Sequence, residues 1–162
     1  MAMTQPHNED GAVDFGWSLG TLLRTYLGSA REAVGDVTGG HRGFQVLAIT
    51  AGGGCGSQAK LAEALGIDRT VMTYLLDELE AAGLVVRRPD PQDRRARLID
   101  LTDAGSRVHT DAVARLAEVE RMVLGALDPD EARTFRTLLG RITGRPDGSP
   151  AGSVCGVVEP DC

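Results

Sequence analysis

The sequence predicts a mainly α fold of the α+β class, with two short helices leading directly into a two-stranded β-hairpin. Three observations predict it. Apolar residues recur at three- and four-residue steps over most of the chain. The tight turn Gly66-Ile67-Asp68 separates two such stretches, which is helix-turn-helix spacing. After Gly83 the period changes, and two short β-prone runs flank a Pro/Asp/Arg-rich segment.

Residues 1–14 are polar and aperiodic and read as a flexible arm. From Phe15 the residues Leu19, Leu22, Leu23, Tyr26, Leu27, Ala30 and Val34 mark a first helix, expected over 15–37 before Gly39-Gly40 stops it. A second runs from about His41 to Ala51 with Phe44, Leu47 and Ala48, and is broken by the glycines around Cys55. Ser57 or Gln58 opens a third helix containing Leu61, Ala62 and Leu65, which Gly66 closes. Asp68 caps a fourth, running to Ala82. The runs 84–88 and 97–101 are strands, and Pro89 and Pro91 keep the tip between them from pairing. Thr102 caps a long helix with Val108, Val113, Leu116, Val119, Val123 and Leu127 on or near one stripe. Asp128 and Pro129 restart the chain as a final helix carrying Phe135, Leu138, Leu139 and Ile142. The Gly/Pro/Ser-rich residues 144–162 read as a flexible tail. A helix-turn-helix over 57–83 followed by a two-stranded wing over 84–101 is a winged helix-turn-helix, here inside one domain spanning 15–143.

Composition narrows the function classes. At 162 residues and 42% hydrophobic content the chain can bury a core, so a wholly disordered protein is not expected. No apolar run reaches the ~20 residues of a membrane span, and MAMTQPHNED has neither the basic start nor the apolar stretch of a secretory signal. Three cysteines, at 55, 155 and 162, do not make a disulfide framework, and a cytoplasmic location is expected. The net charge of −6 argues against a general nucleic-acid coat. No Ser-His-Asp spacing, phosphate loop, metal-ligand cluster or dinucleotide turn is present, so neither an enzyme nor a cofactor is expected.

Charge and hydroxyl groups concentrate in the winged unit. On the fourth helix Met72, Leu75, Leu76 and Leu79 share one face, while Arg69, Thr70, Thr73, Tyr74 and Asp77 share the other. A helix that reads DNA needs such a division, with an apolar back and hydrogen-bonding side chains turned to the major groove. A solvated face of an ordinary amphipathic helix has the same pattern. Five arginines and two aspartates lie between Leu84 and Arg97, a local charge of +3. Arg94 and Arg95, near the tip, suit a minor groove or phosphates, with Arg97 beside them and Asp93 placed to shape the loop. An exposed basic turn in an arginine-rich chain reads the same way, since 16 of the 17 basic residues are arginine. Ser57 and Gln58 open the preceding helix, where side chains and free backbone N–H groups reach phosphates.

The run Asp93-Arg94-Arg95-Ala96-Arg97-Leu98-Ile99-Asp100-Leu101-Thr102 resembles the wing signature of the MarR (multiple antibiotic resistance regulator) family. Ser57-Gln58-Ala59-Lys60-Leu61-Ala62, Gly66-Ile67-Asp68-Arg69-Thr70 and Leu79-Glu80-Ala81-Ala82-Gly83-Leu84-Val85 are similar to its helix-turn-helix and helix-to-wing junction. The sequence departs from the family at Tyr74 and Glu78, where basic residues are frequent. The resemblance covers roughly residues 15–143. It implies a homodimeric transcription regulator, usually a repressor relieved by a small molecule or an oxidant. It also implies that helices 15–37 and 102–143 interlock two copies, which would read a pseudo-palindromic double-stranded operator. The effector pocket of such proteins lies where these helices meet the winged unit. Trp17, Tyr26, His41 and Phe44 are its candidate lining here and suit a planar aromatic or phenolic ligand, although the same residues fit plain core or surface roles. Two alternatives are a thiol-based redox regulator of the same fold and a winged helix used only for protein contact.

Overall fold

The computed structural model describes residues 13–53, 57–91 and 96–144. Expectations on residues 1–12, Cys55, Asp93, Arg94, Arg95 and residues 145–162, including Cys155 and Cys162, lie outside the described residues. The element order is α1 Phe15–Ala33, α2 Gly40–Ala51, α3 Gln58–Ala64, α4 Arg69–Ala81, β1 Val85–Pro89, β2 Arg97–Leu101, α5 Asp103–Val123 and α6 Pro129–Ile142. This is the mainly α winged helix-turn-helix that the sequence predicts.

Caps explain most of the boundaries. Asp14, Ser57, Asp68, Thr102 and Asp128 each accept a hydrogen bond from a backbone N–H in the first turn of the helix they open. Asp128 and Glu131 complete a reciprocal capping box with Pro129 at the first helical position. Gly66, at φ 59°, makes the left-handed exit from α3 that a side chain would strain. The first helix is shorter than expected: α1 ends at Ala33, and residues 34–39 form turns instead. Val34 and Val37, which the helical stripe would have continued through, anchor those turns in the core.

The core joins α1, α2 and α5 to the winged unit. Phe44, Leu47, Leu61, Met72, Leu76, Leu79, Val34, Val46 and Val85 are its largest fully buried side chains. Burial of each such side chain is worth roughly 1.5–3 kcal/mol against exposure. The strands pair antiparallel, with Val85 opposite Leu101 and Pro89 opposite Arg97. Ser57 adds an isolated bridge to Leu98, so the first residue of the helix-turn-helix is tied to the wing.

The wing is fastened to α5 at one narrow point. The Thr102 hydroxyl donates to the Gly83 carbonyl at 2.6 Å, and the Thr102 N–H donates to the Leu84 carbonyl at 3.1 Å. Gly105 packs so closely here that an added Cβ would stand 2.0 Å from the Leu84 carbonyl oxygen. Gly105→Ala is therefore expected to cost about 1–3 kcal/mol or more, the range of overpacked sites. The midpoint of urea unfolding measures this directly, and an unchanged midpoint would refute the close approach.

One helix is only loosely attached, through buried Ala132 and an ion pair of Arg136 on α6 with Glu120 on α5. Helices α1 and α2 both pack on α5, whereas α6 touches the remainder of the described chain only marginally. Its apolar residues Leu138, Leu139 and Ile142 are exposed, Ile142 by 80%. Leu19 and Leu23 of α1, expected on an inward stripe, are also exposed, as is Phe15. No helix among the described residues is long and apolar enough to cross a membrane.

Candidate nucleic-acid interface

The exposed face of α4 is held from behind by Met72, Leu75, Leu76 and Leu79, all buried. Arg69, Thr70, Thr73 and Tyr74 stand on the solvent side, as the sequence predicts, and Tyr74 is 67% exposed. Val71, which the sequence reading did not single out, is half exposed beside them. An apolar side chain on the outer face of such a helix was a legible signal, because Val71 falls off the Met72–Leu79 stripe. Asp68 accepts the Thr70 N–H at 2.7 Å, and this hydrogen bond holds its carboxyl below the usual carboxylate range.

Thr73 and Gln58 do more than face outward. The Gln58 side-chain amide donates to the Thr73 hydroxyl at 2.7 Å, and that hydroxyl donates to the Arg69 carbonyl at 2.9 Å. The pair ties α3 to α4 and sets their spacing, and leaves the Gln58 amide oxygen, its second N–H and part of the Thr73 hydroxyl's accepting capacity.

The wing arginines divide into two groups. Arg87 is inward, with only 17% of its side chain exposed, and is paired with Asp77 and Glu80 of α4. Arg88 pairs across the hairpin with Asp100 at 2.5 Å. Arg97 is exposed and pairs with no other described side chain, and the same holds for Arg69 on α4. The +3 counted along the hairpin thus overstates its outward charge, because two of the five arginines are neutralised by acids from α4 and β2.

The four candidate effector residues do not come together. Trp17 and Tyr26 lie nine positions apart on α1, about two and a half turns, which sets them on opposite faces. Phe44 is fully buried, and its ring stacks on His109 with centroids 6.0 Å apart and planes inclined by 13°. It is a core residue in this chain. Tyr26 is half-buried against α5, where burial and the nearby Glu120 charge hold its phenol pKa above the ordinary value. His41 is partly buried at the start of α2, and its Nδ1 has no hydrogen-bond partner. A groove of about 300 Å³ lies elsewhere, at the elbow of α5 and α6, lined by Leu124, Leu127, Pro129, Ala132, Arg121 and Arg136. Among the described residues no group of three His, Cys, Asp or Glu side chains is arranged to hold a metal.

His109 was overlooked in the sequence although it shares the buried stripe of α5 with Gly105, Ala112, Leu116 and Val119. Burial pushes its imidazole pKa below the ordinary value. His41 is lowered first by burial, then by the charges of Arg31 and Arg42. The unfolded chain therefore binds protons at both histidines before the folded chain does. Their contribution to stability is complete above about pH 6.5 and is lost as pH falls through the folded-state values. Unfolding midpoints are expected to be lower at pH 5.5 than at pH 7.5, and His109→Phe should flatten the difference while keeping the stack on Phe44. Equal midpoints in the unmodified protein would contradict this.

An exposed, braced helix followed by an arginine-bearing hairpin defines a winged helix-turn-helix of the nucleic-acid-reading kind. A profile of the MarR family matches residues 44–96, the core of that unit. The HTH-type transcriptional regulator PecS of Dickeya dadantii is 37% identical over 86 residues, covering 53% of this chain and 52% of that protein. The chain thus spans about half the length of this curated relative. The structure of CouR from Rhodococcus jostii, solved with p-coumaroyl-CoA bound, is 32% identical and matches 80% of this chain and 91% of that one, with a TM-score of 0.59. The apo MarR structure from Escherichia coli shares the fold at a TM-score of 0.70 and 23% identity, over 81% of this chain and 97% of that one. The chain belongs to the MarR family.

Proposed function

We propose that this protein is a sequence-specific DNA-binding transcription regulator, a homodimeric repressor that a small aromatic ligand releases from a pseudo-palindromic operator. The observation that carries the reading is the outer face of α4, which presents Arg69, Thr70, Val71, Thr73 and Tyr74 from a helix fixed by four buried residues. Its N-terminus turns a positive dipole toward phosphates, with the Thr70 N–H already taken by Asp68. Thr70, Val71 and Tyr74 offer hydroxyls and an apolar surface to base edges and thymine methyl groups. Arg69 and Arg97, with Arg94 and Arg95 at the wing tip, are the cations that would meet the backbone or enter the minor groove.

Dimerisation is supported by the unpartnered apolar face of α6 and by exposed Phe15, Leu19 and Leu23 on α1. Two copies joined there would set two recognition helices on one side of the duplex, about one helical turn apart. The ligand class is suggested by CouR, whose structure holds a hydroxycinnamoyl thioester. Trp17, Tyr26 and His41 stay partly accessible and remain separate candidate contacts, whereas Phe44 is taken up by the core.

The test is equilibrium binding to a duplex carrying the region upstream of the gene, titrated with salt and then with phenolic and aromatic acids and their CoA thioesters. Arg69→Ala and Arg97→Ala should each weaken binding and reduce the slope of log K against log salt by about 1. Binding that shows no preference over random competitor DNA would defeat the proposal. Failure of every aromatic ligand to shift the affinity would defeat its ligand arm alone.

A further inference from the structure

Arg87 is the innermost of the described wing arginines, and its contacts span the whole reading unit. Its guanidinium donates to Glu80 Oε2 at 2.6 Å and to the Thr73 carbonyl at 3.2 Å, and it pairs with Asp77 Oδ1 at 2.7 Å. Its own backbone N–H donates to Glu80 Oε1 at 3.1 Å. Thr73 in turn receives the Gln58 amide. A continuous polar chain therefore runs from the start of α3, through the middle of α4, to the first strand of the wing.

The geometry assigns Arg87 as a positioning residue that fixes the angle between recognition helix and wing without itself touching DNA. This rests on the DNA-binding reading above. Two consequences follow from charge and geometry. Asp77 and Glu80 lie on the helix that must approach phosphates, and Arg87 holds both carboxylates toward the wing base. A planar guanidinium can fork onto two carboxylates and a carbonyl at once, which a lysine ammonium at the end of a flexible stem does not reproduce. Specific binding needs helix and wing in their grooves simultaneously, whereas non-specific binding needs only net positive charge near the backbone. Loss of the clamp should therefore damage specificity more than general affinity.

The test compares the full-length protein with Arg87→Gln, Arg87→Lys and Asp77→Asn/Glu80→Gln. The probes are a duplex selected by the unmodified protein from genomic fragments and an alternating inosine–cytosine competitor. Arg87→Gln is expected to lose tenfold or more in operator affinity and markedly less in competitor affinity, with the salt slope unchanged; Arg87→Lys should recover part of that loss. The double variant separates positioning from electrostatics. It removes two negative charges, so charge alone predicts tighter binding to both probes, whereas the clamp predicts weaker operator binding and reduced discrimination. A salt slope that falls by about 1 in Arg87→Gln would overturn the proposal, since it marks a direct phosphate contact. Undiminished discrimination in a folded Arg87→Gln or in the double variant would overturn it too. If the unmodified protein selects no DNA, the DNA-binding reading fails and takes this inference with it, an outcome distinct from variants that bind like the parent.

Discussion

Leu139→Glu on α6 is expected to turn the proposed dimer into a monomer and to weaken operator binding by about 10²–10⁴-fold, the range lost when a bivalent contact becomes monovalent. The side chain is already 42% exposed in the single chain and α6 packs only marginally on its own protomer, so a carboxylate there costs the isolated fold little. Its cost falls on association, where Leu138, Leu139 and Ile142 would otherwise be desolvated together. Stable dimers bury about 1,200–2,000 Å², and a charge without a partner inside such a patch is strongly unfavourable. Light scattering gives the mass and circular dichroism the helix content. A monomer with unchanged helicity fits the account, and a dimer that persists at low micromolar concentration counts against α6 as the interface.

Leu76→Ala carries the second large effect. Leu76 is fully buried on the inner face of α4, between Met72 and Leu79, where the recognition helix meets the rest of the core. Truncation there leaves a cavity and is expected to cost about 2–5 kcal/mol. At roughly 2–4 °C per kcal/mol for a chain of this size, the loss in Tm should be about 4–20 °C. Because the proposed association would stabilise the folded state, parent and variant must be compared at one protomer concentration. The loss should extend to operator affinity even in conditions where the variant is folded, since the face carrying Thr70 and Tyr74 is only as fixed as its apolar back. A Tm within 2 °C of the parent at matched concentration would show that α4 is not held by this residue.

Local signals in the sequence located the elements well. Ser57, Asp68, Thr102 and Asp128 each cap the helix they were expected to open, because capping depends on a side chain and the backbone two or three residues on. The Met72, Leu75, Leu76, Leu79 stripe was legible for a similar reason, as periodicity alone identifies a buried face. Contacts between elements were much less legible. Arg87 and Arg88 counted as free charge along the hairpin, yet their partners Asp77, Glu80 and Asp100 are chosen by how β1 sits on α4 and opposite β2. Phe44 looked like a ligand-facing aromatic, yet its stack on His109 arises only when α2 meets α5. Leu19 and Leu23 belong to a helical stripe that periodicity assigns to burial, but the single chain leaves them exposed, and a second copy is what would cover them.

A two-fold protein that reads DNA through α4 and the wing should leave a two-fold mark on its site. Footprinting on a duplex that the protein has selected, combined with the stoichiometry of the complex, tests it most directly. Two protomers per site are expected, with two symmetry-related protected patches whose centres lie about 10 base pairs apart. A single unsymmetrical patch bound by one protomer, or protection that moves freely along the duplex under competitor, would contradict it.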